Sequence, residues 1–144
     1  MSIYMRYTRV SGVPVKGLVN TAPHEGWIRL EDVQPVVQQL GTAALGKSRP
    51  KITEITVAKR EDAASNDLWV DAVVGVRAKI VIDFVNRDKK REVTYLTLKL
   101  EDAVIIIIRP SGVVGVVETL TFSGKIAIHR WGPGPDADRW WSLS

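Results

Sequence analysis

Alternating apolar and polar residues run through most of this chain, and this alternation predicts β-strands. Two segments show it most clearly, with apolar positions at Leu96, Leu98 and Leu100 in the first and at Leu120, Phe122, Ile126 and Ile128 in the second. A period of two places these side chains on one face of each strand, so that one face is buried and the other meets solvent or a partner. Both segments exceed the ~5–6 residues of an average strand. Strands of this length favour a barrel or a strongly curled sheet.

Four earlier segments are predicted as strands from the same alternation. They span residues 2–10, 25–39, 51–59 and 77–86. Pro35 lies within the second of them and indicates an edge strand, a bulge or a bend, because proline has no N–H to donate to a sheet. The segments 11–23 and 40–50 contain Gly, Pro and small residues and are predicted as loops. The charged segment 87–92 lies between two strand patterns and is predicted as a solvated hairpin turn.

One segment, Asp62–Val74, has the residue spacing of a helix. The apolar residues that recur every four positions are Ala64, Leu68 and Ala72. They predict a buried helix face, and Trp69 beside them is expected to be in the core or half-buried. Asp62 or Ser65 is expected to act as the N-cap. Gly75 is expected to end the helix in a left-handed conformation.

The length of 144 residues fits a single domain. We predict a mainly β fold: a small antiparallel β-barrel with one short α-helix packed on its flank. The barrel domain is expected to span residues 1–131, followed by a C-terminal tail, residues 132–144, that contains Gly, Pro and Trp. Trp140 and Trp141 are adjacent in this tail. Because exposing both to water is costly and aromatic residues are enriched at interfaces, we expect the tail to dock on this subunit or a neighbour.

Composition and charge exclude several classes of protein. The chain has no cysteine, so it has neither disulfides nor thiolate metal sites. Its net charge of +4 is too small to indicate nucleic-acid binding. The N-terminal residues alternate instead of forming the apolar run of a signal peptide, and no apolar run approaches the ~20 residues of a membrane helix. We therefore expect a protein that folds in the cytoplasm, does not insert into a membrane, and is exported, if at all, in its folded form.

Histidine and serine residues offer little support for catalysis or metal binding. The only histidines, His24 and His129, are far apart in sequence, and neither is expected to be a metal ligand. His24 is expected to open a strand. A hydrolase built on Ser65 or Ser123 would need one of these histidines by coincidence, since no nucleophile-elbow motif is present.

Acidic pairs and glycines are also explained by structure alone. Neighbouring residues in a strand point to opposite faces, so an acidic pair within one strand cannot form an acid–base pair. The pairs Glu31-Asp32, Glu61-Asp62 and Glu101-Asp102 are therefore expected at strand ends and at a helix cap. Gly112 and Gly115 have the spacing of one RNA-binding loop, but that loop joins helices, and a strand turn is the better interpretation here. We expect no catalytic residue, no bound metal and no cofactor.

Several motifs, in their order along the chain, carry a family resemblance. The stretch HEGWI at residues 24–28 follows a first strand and a Gly/Pro loop, and KITEITVAKREDAAS at 51–65 leads into the helix. YLTLKLED at 95–102 and ETLTFS at 118–123 follow. Together these motifs resemble the haemolysin-coregulated protein family, the tube subunit of type VI secretion, over about residues 2–131.

This resemblance implies a structural, secreted protein and no catalytic residues. Subunits of the family form six-membered rings that stack into a tube inside a contractile sheath, behind a spike protein. The tube is propelled into a target cell, and small effectors are carried in its lumen. Family members leave the cell without a signal peptide.

A ring needs two different contact surfaces on each subunit. We expect the outward faces of residues 93–101 and 116–130 to supply much of one surface, and loops near 40–50 or 86–92 to govern contacts between rings. The main alternative is a monomeric barrel that binds a small ligand or a partner protein. A hydrolase or a nucleic-acid-binding domain is a third alternative, but it would need a convergent polar cluster that the sequence does not reveal.

Overall fold

The computed structural model describes residues 2–40, 49–88, 91–109, 117–131 and 141–143. These ranges contain strands and one helix, whose bounds are β1 (Ser2–Arg9), β2 (Pro14–Val15), β3 (Ile28–Leu30), β4 (Asp32–Leu40), β5 (Arg49–Arg60), α1 (Ser65–Val74), β6 (Ala78–Asp88), β7 (Arg91–Arg109), β8 (Val117–Trp131) and β9 (Trp141–Leu143). All strand pairs are antiparallel. The predicted mainly β fold with one short helix is therefore confirmed.

The strands form one curled sheet in the order β2-β1-β6-β7-β8-β5-β4. β3 also pairs with β1, and β9 pairs with β8. One face of this sheet carries the core, because the apolar positions of successive strands point to the same side. The fully buried residues of the core include Met5, Ile28, Ile55, Leu68, Ile82, Leu100 and Phe122.

Within the described residues, the strand ladder of this barrel-like sheet is not closed. β3 pairs with β1 and β4 pairs with β5, so the two ends of the sheet meet at Glu31, the residue between β3 and β4. β3 and β4 follow one another in the chain and cannot pair as neighbours. The Glu31 N–H donates a hydrogen bond to the Ala58 carbonyl of β5 at 2.7 Å, which connects this residue to the neighbouring strand.

The register of the long strands shifts at β-bulges, where a strand bends. In β4 the register shifts between Val36 and Val37, directly after Pro35, and β4 is the last strand at its end of the sheet. The predicted edge position with a bulge is therefore confirmed. In β7 the register shifts between Glu101 and Val104.

The β7 bulge explains one glycine of β8. Asp102 lies in the bulge and adopts a φ of 55°, in the left-handed region. Gly124 approaches the bulge so closely that a Cβ atom there would lie 2.9 Å from the Cα of Ala103. A side chain at this position would push the two strands apart.

The helix α1 begins at Ser65, three residues later than predicted. Residues before it form a turn, in which the Asp62 N–H donates to Ser65 Oγ at 2.9 Å and the Ala64 N–H donates to Asp62 Oδ1 at 3.0 Å. The helix N-cap is Ala64, without a side-chain cap, so the N-cap prediction was wrong. The prediction for Gly75 is confirmed, since it ends α1 with a φ of 80°.

Two predicted segments lie mostly outside the described residues. They are the loop 40–50, described only at Leu40 and at 49–50, and the Gly112–Gly115 turn. In the tail 132–144, the described residues Trp141–Leu143 pair with Ile126–Ile128 of β8. Trp140 lies outside the described ranges.

Candidate assembly surfaces

A buried ionic cluster fixes the start of α1 on the sheet. Lys59 of β5 is 0% exposed, and Glu118 lies directly opposite it on β8. The Lys59 ammonium group donates to Glu118 Oε1 at 2.6 Å, to Asp62 Oδ1 at 2.8 Å and to Ser65 Oγ at 2.9 Å. Ser65 Oγ in turn donates to Glu118 Oε1 at 2.7 Å. Asp62 lies in the turn before α1, and Ser65 is the first residue of α1. This cluster therefore joins the helix to two strands.

A second ionic contact holds the other end of α1. Arg9, the last residue of β1, donates through Nε to both carboxylate oxygens of Asp71, at 2.8 and 3.1 Å. This hydrogen bonding raises the pKa of the Arg9 guanidinium above its ordinary value. Asp71 is buried on α1, beside Tyr7. Burial raises the pKa of the Tyr7 hydroxyl well above its ordinary value of 10.0, and the nearby Asp71 carboxylate raises this pKa further.

The raised pKa of Tyr7 predicts a loss of stability in alkali. The folded protein holds the Tyr7 proton more tightly than the unfolded chain. The contribution of Tyr7 to the free energy of unfolding is therefore intact below pH 10.0 and is lost as the pH rises above it. We expect the free energy of unfolding to fall more steeply above pH 10.0 in the wild type than in Tyr7→Phe. Urea unfolding at pH 8 to 11 measures this. Parallel pH profiles of the two proteins would contradict the assignment.

The outward face of α1 is apolar. Leu68 and Ala64 are fully buried on the inward face, as predicted. Trp69, which was expected in the core or half-buried, is 44% exposed and lies outside the core. Val70 and Val73 lie beside it, at 47% and 72% exposure. A helix that is apolar on both faces is normally covered on both, so this surface is a candidate for a contact with another protein.

A groove runs along the start of this helix face. It has a volume of about 250 Å³ and is lined by Glu61, Asp62, Ser65, Asn66, Trp69, Ile108 and Glu118. The lining combines carboxylates with an exposed aromatic ring and includes no Lys or Arg. Two exposed isoleucines of β7, Ile106 and Ile107, extend the apolar surface of the molecule.

His24 lies in the loop before β3 and opens no strand, which corrects its predicted role. It is 2% exposed, and its Nε2 lies 2.8 Å from Asp83 Oδ2. Asp83 Oδ1 also accepts a hydrogen bond from the Thr97 hydroxyl at 2.7 Å. The imidazole packs against the rings of Tyr4 and Trp27, at centroid distances of 4.8 and 4.6 Å. These contacts hold the loop on the sheet.

The acidic pairs occupy three different settings. Glu31 lies between β3 and β4 and Asp32 begins β4, so this pair is at a strand end, as predicted. Glu61-Asp62 lies between β5 and α1 but does not form the predicted helix cap, which is Ala64. Glu101-Asp102 lies inside β7 at its bulge, so the prediction of a strand end was wrong there. Asp102 forms an exposed ion pair with Arg77 at 3.1 Å.

The described residues show neither a metal-binding cluster nor a membrane-spanning helix. Among the described residues, no three His, Asp or Glu side chains could hold a metal ion together. His129 lies in β8, beyond the part of that strand whose side chains are described. Within the described ranges, no helix is long and apolar enough to cross a membrane.

The predicted ring-contact face is partly covered in the single subunit. Val93, Tyr95 and Lys99 of β7 are half-buried, and Thr121 of β8 is buried, with its hydroxyl 2.9 Å from that of Thr56. Val117, at the start of β8, is 40% exposed.

Several strand edges lack a partner in the described part of the chain, and two of them belong to long strands. β4 pairs only with β5, and residues 104–109 of β7 pair only with β8. Such edges present unpaired N–H and C=O groups to other strands.

A second cavity, of about 350 Å³, lies where the two ends of the sheet meet. Its lining includes Tyr4, Asn20, Arg29, Glu31, Arg60 and Asp62. Arg60 and Glu31 form an exposed ion pair there at 3.2 Å. The cavity is open and of mixed charge, and it is the feature that the alternative of a ligand-binding monomer would use.

Comparisons with known proteins agree with this architecture. The structure of a variant of the Hcp1 protein from E. coli matches with a TM-score of 0.80 at 17% identity, covering 100% of this chain and 98% of that one. Secreted protein Hcp3 from Pseudomonas aeruginosa matches with a TM-score of 0.69 at 20% identity, covering 88% and 90%. A type VI secretion system effector from Yersinia pestis matches with a TM-score of 0.69 at 18% identity, covering 95% and 96%.

At these identities the structural matches show the fold alone. No curated protein matches this chain in sequence. The model of one family, described as type VI secretion system effector, Hcp, matches residues 4–128. Because this match spans most of the chain, the protein belongs to the Hcp family of type VI secretion system proteins.

Proposed function

We propose that this chain is a tube subunit of a type VI secretion system, which assembles into six-membered rings that stack into a tube and are propelled into target cells. The observation that carries this proposal is the family match over residues 4–128. In this role the protein is assembled in the cytoplasm and then secreted, works with the sheath and spike proteins, and carries small effectors. It is a structural protein and not an enzyme.

The surface of the subunit supports assembly. A closed ring requires two different surfaces that meet head to tail. The two unpaired edges of long strands, on β4 and on residues 104–109 of β7, are different from one another and lie on different parts of the sheet. The exposed side chain of Val117 lies within the predicted contact face 116–130.

Light scattering over a wide concentration range, followed by electron microscopy, tests the proposal. We expect rings of uniform mass for the wild type. Val117→Lys should shift the distribution toward monomer, because it places a charge in the predicted contact. Val13→Lys is the matched control, since Val13 is also an exposed valine but lies in the turn before β2.

Each outcome has a separate meaning. Rings that persist in both variants would exclude Val117 from the contact and leave the ring itself standing. A wild-type protein that stays monomeric at high concentration would contradict the tube-subunit proposal. It would favour the alternative, a monomeric binding module that uses the 350 Å³ cavity.

A further inference from the structure

We propose that the outward face of α1, together with the groove at its start, binds a basic amphipathic segment of a partner protein. This surface is defined by Asn66, Trp69, Val70 and Val73 of the helix and by Glu61 beside it. The inference goes beyond ring formation, since none of these five residues belongs to the segments that are expected to form the ring contacts, and it can be tested on rings and on monomers alike.

The exposed residues of α1 lie at helical spacing. Asn66, Trp69, Val70 and Val73 are spaced i, i+3, i+4 and i+7, so they form one continuous stripe along α1. Leu68 and Ala64 occupy the inward side and are fully buried. The stripe is therefore not needed for the core. Exposed apolar surface of this kind marks contacts with other molecules.

The groove at the start of α1 is lined by acidic side chains. Three carboxylates, of Glu61, Asp62 and Glu118, face this region, and Lys59 is the only cation bound to them among the residues that the structure describes. Lys59 is fully buried and is engaged by Asp62 and Glu118. Glu61 is exposed and has no ion-pair partner among the described residues. The groove thus keeps an excess of negative charge although the chain as a whole carries +4.

These two features select the chemistry of the occupant. An Arg or Lys side chain can lie over the face of Trp69 while its charge approaches Glu61, which combines a cation–π contact with an ion pair. Apolar residues of the same segment would cover Val70 and Val73. An amphipathic helix that presents basic and apolar residues has both properties. An acidic segment or a purely apolar segment has no basic side chain to place over Trp69 and near Glu61.

The probe is a labelled, roughly 15-residue amphipathic peptide of Leu and Lys, which is long enough to form a helix on binding. Its control is the same peptide with Glu in place of every Lys. Fluorescence anisotropy with the full-length protein measures both affinities. We expect the Lys peptide to bind and the Glu peptide to bind at least about tenfold more weakly, because opposite charges meet in one case and like charges in the other.

Two matched pairs of variants locate the site. Glu61→Lys should weaken binding of the Lys peptide roughly tenfold, whereas Glu25→Lys, the same change at an exposed loop residue, should leave it unchanged. Trp69→Ala should weaken binding as well, whereas Leu18→Ala, at an exposed loop leucine, should not. Thermal unfolding checks that each variant is folded. If Trp69→Ala is unstable, the comparison of Glu61→Lys with Glu25→Lys decides the result.

Several outcomes would overturn the proposal. They are no binding of the Lys peptide, equal binding of both peptides, and equal effects within each matched pair. Binding that occurs with monomers but is lost in rings, as followed by light scattering, would also overturn it, because the face would then be covered by a second copy of this chain. A failure to form rings with binding intact would contradict the proposed function and leave this inference standing.

Discussion

Replacing Lys59 by Met is expected to lower the free energy of unfolding by about 3–5 kcal/mol. The substitution leaves the Glu118 carboxylate buried at the strand interface without the ammonium group that lies 2.6 Å from it. It also removes the hydrogen bonds to Asp62 and Ser65 that hold the start of α1. Urea unfolding at neutral pH measures the change.

The matched control is Arg60→Met, one residue further along β5. Arg60 pairs with Glu31, but the two side chains are 70% and 38% exposed, so the loss should stay below about 1 kcal/mol. The double variant Lys59→Met with Glu118→Leu should recover much of the lost stability, because it removes the unpaired charge as well. If Lys59→Met unfolds no more easily than Arg60→Met, the cluster does not hold the fold as described.

Replacing Leu68 by Ala is expected to lower the free energy of unfolding by about 2–5 kcal/mol. Leu68 is fully buried between α1 and the sheet, and its truncation leaves a cavity that the ionic contacts at both ends of α1 keep from collapsing. Thermal and urea unfolding both report the loss.

Val73→Ala is the control for the helix. Val73 points outward and is 72% exposed, so this change should alter stability by no more than about 0.5 kcal/mol. Equal losses in the two variants would mean that the inward and outward faces of α1 are assigned incorrectly.

Much of the fold could be predicted because it depends on neighbouring residues. The alternation at Leu96, Leu98 and Leu100 is a property of the local sequence, and β7 places Leu98 and Leu100 in the core accordingly. Gly75 ends α1 for a reason that is equally local, since a left-handed residue is needed there. Family membership could also be predicted, because it depends on the order of motifs along the sequence.

The buried ionic cluster was missed, although the sequence contains a signal for it. Lys59 continues the inward parity of Ile55 and Val57, and Glu118 has the parity of Leu120 and Phe122. When one strand has a cation at a buried position and a neighbouring strand has an anion at a buried position, the two side chains are expected to form an ion pair. That β5 and β8 are neighbours, in a register that sets Lys59 opposite Glu118, is a tertiary fact.

The position of His24 could not be predicted for a similar reason. Its partner Asp83 lies on β6, and Thr97 on β7 completes the contact, so three separate segments must be in place before the imidazole has a role. The local sequence around His24 shows only a residue ahead of a strand. Burial by distant rings and a distant carboxylate decided its environment.

The sequence by itself determined the strand alternation, the existence of one helix, the absence of disulfides and the family. Each depends on residue types or on spacings of two to four residues, which set the backbone conformation directly. Only the tertiary structure decided where the sheet stays open, where α1 begins, and that Trp69 faces outward. Those features depend on contacts between residues far apart in the chain. Segments distant in sequence determine which face of a helix, or which edge of a strand, is covered.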